Sequence, residues 1–218
     1  MSHRPSRVSL CLVALITMEA TPGDASQRQT SPRSFVIVAG DRFGPIREST
    51  TRSELPSLFG TALRNGDVEL GEGICTNGTK VFAGTPDEID IAWKDEQGTS
   101  VSFVRTMKAG GRWRTARGVR IGTSLSELER LAGRALTFSG FGWDYGGGLS
   151  WTEPGGRLGL RLTLSPGDNQ IAATAPGRDA IFGDKLVRSD EVLIRRLRVQ
   201  VDEITQAWGS HSSEHDCR

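Results

Sequence analysis

Histidine is almost missing from this chain. Its three histidines are His3, His211 and His215, so none falls between residues 4 and 210. A serine or cysteine hydrolase working through an imidazole base is therefore not expected. Neither sign of charge is in excess, with 27 Lys and Arg against 26 Asp and Glu. A dedicated nucleic-acid binder draws its affinity from surplus cationic charge, so none is expected. Aromatic residues are few, with a single tyrosine, whereas glycine occurs 27 times. That balance favours short strands and many turns over a helical bundle.

Long apolar runs are also missing. Val8 to Met18 form an apolar stretch of eleven residues interrupted only by Ser9, Cys11 and Thr17. Crossing a bilayer takes roughly 20. Arg4 and Arg7 precede the stretch, and Gly23 and Ala25 satisfy the small-x-small rule for cleavage before Ser26, which together read as a secretory signal. A buried helix of a cytosolic domain is the other reading, but polar residues 21–30 give it nothing to pack against. Export to the periplasm or the exterior is the expectation, with no transmembrane segment in the mature chain. Cysteine is scarce as well. Cleavage would remove Cys11 and leave Cys75 and Cys217. In an oxidising compartment these form either a single disulfide or two unpaired thiols, one on a frayed tail.

What is present is a repeat. Ile46 to Gly60 aligns without gaps to Val119 to Gly133, with seven of fifteen positions identical. The shared residues include Arg47/Arg120, Thr50/Thr123, Glu54/Glu127, Leu55/Leu128 and Gly60/Gly133. Thr51 with Glu54, and Ser124 with Glu127, have the spacing of capping boxes. Apolar residues come next at helical spacing, and each glycine sits where a helix would end. Pro56 falls past the first turn and predicts a kinked or delayed first helix. Downstream of each helix the pattern turns to strand, over Thr79–Ala83, Glu88–Trp93 and Ser100–Arg105, then Leu136–Phe141, Leu149–Trp151 and Arg157–Leu164. Val199–Trp208 reads as a closing strand. The expected fold is α+β, two tandem modules that each pack a short helix on an antiparallel sheet. The boundaries read as a signal at 1–25, a flexible segment at 26–34, module one at 35–106, a basic linker at 107–117, module two at 118–208 and a disordered tail at 209–218.

Gly44-Pro-Ile, Thr50-Thr51 and Leu58-Phe59-Gly60, with Gly118-Val-Arg-Ile-Gly-Thr-Ser-Leu125 and Gly140-Phe-Gly-Trp-Asp-Tyr-Gly-Gly147, resemble a family of exported bacterial proteins. That resemblance covers about Phe43 to Leu164 and implies export without implying an activity. In architecture alone, tandem modules of this length look like the β-lactamase inhibitor protein and the small outer-membrane assembly lipoproteins. Those bind proteins through an exposed sheet face, which implies another envelope or secreted protein as partner. No lipidated cysteine is found here, which departs from the lipoprotein pattern.

The most unusual local sequence is Gly140 to Gly148, where Phe141, Trp143 and Tyr145 flank Asp144 among glycines. These four are the candidate contact residues, since aromatics with a polar handle on a turn anchor partners well. The competing reading is a bent hairpin whose Phe and Trp plug the core. The run Arg105, Lys108, Arg112, Arg114, Arg117 and Arg120 either engages an anionic partner or is a solvated link. His211, His215, Asp216 and Cys217 have ligand types spaced for zinc, but a chain end rarely preorganises a site. No cofactor, metal or catalytic residue is expected. The reading is of a non-enzymatic binding or inhibitor-like module; the alternatives are a polysaccharide hydrolase built on Asp144 and Glu153, or a purely structural domain.

Overall fold

The structure is a computed structural model that describes residues 34–152, 159–167 and 174–217. The proposed signal, Cys11 and Glu153 lie outside the described residues. No helix among the described residues is long and apolar enough to cross a membrane.

The first half opens with three short strands, β1 (Val36–Val38), β2 (Arg42–Phe43) and β3 (Ile46–Arg47). A 3-10 turn at Arg52–Glu54 then leads into helix α1 (Leu55–Phe59). The delay is what Pro56 dictates, since its ring is tolerated only near the start of a helix. Four strands come after it, β4 (Leu63–Gly71), β5 (Ile74–Val81), β6 (Ile89–Trp93) and β7 (Val101–Thr106). β4 departs from the strand pattern of the sequence, because Asn65, Gly66 and Asp67 are poor strand formers. It exists because Glu72 and Gly73 both take positive φ, closing a two-residue hairpin that lays β4 along β5.

The second half repeats the plan. β8 (Arg114–Thr115) precedes helix α2 (Leu125–Ala132), and β9 (Thr137–Ser139), β10 (Gly148–Trp151) and β11 (Leu160–Ser165) come next. β12 (Leu186–Arg188), helix α3 (Val192–Arg196) and β13 (Gln200–Ala207) complete it, and β14 (Glu214–Asp216) ends the chain. The duplicated segments make matching bonds. The Thr50 hydroxyl accepts from the Arg47 N–H at 3.0 Å, and the Thr123 hydroxyl accepts from the Arg120 N–H at 2.9 Å. The N–H of Gly60 closes α1 on Pro56, and that of Gly133 closes α2 on Glu129. The caps diverge. Glu54 reaches back to the Thr51 N–H at 2.7 Å, whereas Ser124 accepts from the Glu127 N–H at 3.2 Å and the Glu127 carboxylate turns to Arg130 instead.

Both halves feed one antiparallel sheet in the order β10-β11-β13-β7-β6-β5, with β4 on the outer edge of β5. β13 and β7 join the halves, placing Thr205 opposite Arg105. Side chains alternate across this sheet. Leu162, Ile204, Val104 and Ile91 point into one apolar core, which also receives Leu55 and Phe59 from α1 and Leu125 and Leu128 from α2. The fold is thus α+β, with each short helix lying on its own part of a shared sheet.

Two expectations need correction. Residues 107–117 are not merely a solvated link: Lys108, Arg112, Arg114 and Arg117 stay exposed, but β8 pairs in parallel with β1 and Trp113 is buried between Phe35 and Phe43 at 4.7 and 5.1 Å. The Trp113 indole donates to the Asp87 carbonyl at 2.8 Å, and the Arg112 guanidinium pairs with the Asp87 carboxylate. Nor is 209–217 disordered. The Ser212 N–H donates to the Trp93 carbonyl at 2.8 Å, β14 continues the line of β6 along β5, and a disulfide joins Cys217 to Cys75.

Candidate contact surface

The open face of the sheet carries the residues that alternate with the core. On β11, β13, β7, β6 and β5 these are Arg161, Thr205, Arg105, Asp90 and Lys80 in register. Asp90 lies almost wholly buried between Lys80 at 2.7 Å and Arg105 at 3.0 Å. Arg105 also reaches Glu203 at 3.9 Å and donates to the Glu69 carbonyl, so the end of β4 curls over this spot. The first-half side of the face is therefore closed by its own ion network. The second-half side is not: Ser150 and Arg161 are exposed, with Thr163 and Thr205 half-buried beside them.

At the margin of that open half stands the glycine-rich turn. Phe141 is 5% exposed and packs against Phe138 and Phe182, so it belongs to the core and not to a contact surface. Trp143 is half-buried, its indole donating to the Gly140 carbonyl at 2.8 Å. Tyr145 is 58% exposed and meets Trp143 edge-on at 5.3 Å. Asp144 is exposed on the same turn. Gly147 holds the turn down: its N–H donates to the Ser139 carbonyl and its carbonyl accepts from the Leu164 N–H. With φ at 74° it sits in the left-handed region, and an added Cβ would collide with the Leu164 carbonyl.

Beneath Tyr145 lies Arg161, its guanidinium 5.7 Å from the ring centroid. Arg161 is not among the candidate contact residues of the glycine-rich turn. Its place among Leu158, Leu160, Leu162 and Leu164 marks it as outward-facing, so the alternation held the signal. Together Trp143, Tyr145 and Arg161 form an aromatic and cationic edge where the β9–β10 turn meets β11, a pattern suited to anchoring a partner.

The remaining titratable groups play other parts. His211 contacts Glu214 at 2.8 Å, and His215 contacts Asp67 at 3.1 Å, so the tail brings histidine onto the first module. Among the described residues no group of three or more His, Cys, Asp or Glu side chains is placed to hold a metal. Partial burial works to raise the Asp87 carboxyl, but the hydrogen bonds and charge of Arg112 outweigh it and hold it below the usual aspartate range. Asp202 is the extra residue of a bulge in β13, and partial burial, then the neighbouring Glu203 charge, push its carboxyl up.

No family model, curated protein or solved structure matches this chain.

Proposed function

We propose that this protein is an exported, non-enzymatic binding module of the bacterial envelope that engages a protein partner through the second-half sheet face. The observation that carries the reading is the Tyr145 ring, exposed on a turn pinned by Gly147 and flanked by Trp143 and Arg161. A rigid amphipathic ring loses little conformational entropy on binding, and tyrosine, tryptophan and arginine are the commonest interface anchors. The N-terminal sequence supports export, as does the Cys75–Cys217 disulfide, a bond that persists in oxidising compartments.

The test is retrieval of partners from an envelope extract on immobilised protein. Wild type is expected to retain a defined partner that Trp143→Ala and Tyr145→Ala release, with Arg161→Glu releasing it as well. Identical retrieval by wild type and all three variants would remove this edge as the binding surface.

A further inference from the structure

The two halves differ most in the connection that faces the helix cap. In the first half β6 returns to β7 through a tight turn. There the Arg52 N–H donates to the Gly98 carbonyl at 2.8 Å, and the Arg52 side chain fills the adjoining space, reaching the Glu96 carbonyl at 3.0 Å. In the second half the equivalent residue is Leu125, whose N–H makes the matching bond to the Val199 carbonyl at 2.8 Å. The tight turn has become a long excursion carrying α3. Where Arg52 fills the first half, a cavity of about 240 Å³ opens between α2 and α3.

Its lining is chemically divided. Leu125, Ile194 and Val199 give it an apolar floor. Glu129, which stands where the first copy has Pro56, supplies a carboxylate whose side chain is only 17% exposed. Its Oε1 accepts from the Ser189 hydroxyl at 2.5 Å and from Arg195 at 3.5 Å, while Oε2 has no partner among the described residues. Arg198 brings a second cation with no ion pair among the described residues. Its φ is 48°, a left-handed backbone that a non-glycine residue adopts at a cost. Backbone strain at an unpaired arginine on a cavity wall is the kind of feature found at ligand clamps.

A carboxylate with a spare oxygen, an uncommitted guanidinium and an apolar floor fit a small ligand that bears both signs of charge and a hydrocarbon body. We propose that the α2–α3 cavity binds a free α-amino acid with an apolar side chain. Arg198 and Arg195 take the ligand carboxylate, Glu129 takes its ammonium, and Leu125, Ile194 and Val199 cover its side chain. The site is separate from the Tyr145 edge and stands whether or not that edge binds a protein.

Calorimetric titration of the purified protein with leucine, leucinamide and 4-methylpentanoate tests this. Leucine is expected to bind, with leucinamide (no carboxylate) and 4-methylpentanoate (no ammonium) each at least tenfold weaker. Arg198→Gly suits the left-handed backbone at this position and should melt no lower than wild type, yet bind leucine at least tenfold less tightly. Glu129→Gln should lose selectivity for leucine over 4-methylpentanoate. Equal binding of leucine and either analogue, undiminished binding by folded Arg198→Gly, or no heat with leucine at millimolar concentration would overturn the proposal.

Discussion

Asp90 and Arg105 face each other in register across β6 and β7, their side chains 3.0 Å apart and both largely withdrawn from water. Lys80 completes the pair from β5 at 2.7 Å. Removing one member of a buried ion pair leaves the other charge uncompensated. Asp90→Ala should therefore destabilise the protein by about 3 kcal/mol. Arg130→Ala, which breaks the solvent-exposed pair with Glu127, should leave the denaturation midpoint almost unchanged. Urea denaturation midpoints of the two variants check the contrast.

The duplicated helix entries make a second prediction. Thr50 and Thr123 occupy matching positions and each accepts from the N–H three residues earlier. Thr50→Val and Thr123→Val should each cost about 1 kcal/mol, within experimental error of one another. Thermal melts of the two variants would show it, and a several-fold difference would mean that the copies are held by different forces.

Much of this was legible in the chain because short-range rules produced it. The gapless match of Ile46–Gly60 to Val119–Gly133 exposed both helices, Pro56 placed the delayed start of α1, and period-two alternation marked β6, β7 and β11. What escaped depends on partners distant in sequence. β4 has weak strand propensity and forms only because its hairpin turn delivers it to β5. Trp113 sits among arginines that suggest solvent, yet Phe35 and Phe43 bury it from the far end of the first half. The tail looked frayed because the edge of β5 that receives β14 is invisible locally. Of the contact residues, glycine spacing located the turn, but which aromatic faces inward was decided by Phe138 and Phe182.

The Cys75–Cys217 bond spans 142 residues of sequence and fastens β14 to the sheet. Closing so long a loop in the unfolded chain contributes up to about 5 kcal/mol in the chain-entropy model. Reductant should lower the melting temperature of wild type and leave that of Cys75→Ser/Cys217→Ser unchanged. Amide exchange of Glu214–Asp216 should rise in the same step. Melting that does not respond to reductant would show that β14 adds nothing to the fold.

Two aspartates should set opposing slopes of stability against pH. Asp87 has a depressed pKa in the folded protein, so its contribution is present above the ordinary aspartate value of about 4 and is lost as pH falls below it. Asp202 has a raised pKa, so the folded state binds its proton more tightly and loses stability as pH rises from about 4. Asp87→Asn should flatten the acid limb of the stability curve. Asp202→Asn should raise stability at neutral pH and lose that advantage at pH 3. Denaturation of both variants across this range distinguishes the two signs.

The claim that the Tyr145 edge meets a partner is tested most directly by photo-cross-linking in cells. A benzophenone amino acid replaces Tyr145, or Glu96 on the exposed β6–β7 turn as the control. A discrete adduct with one envelope protein from position 145, absent from position 96 and abolished by Trp143→Ala, is the predicted result. No adduct from position 145, or the same adduct from both positions, would contradict it.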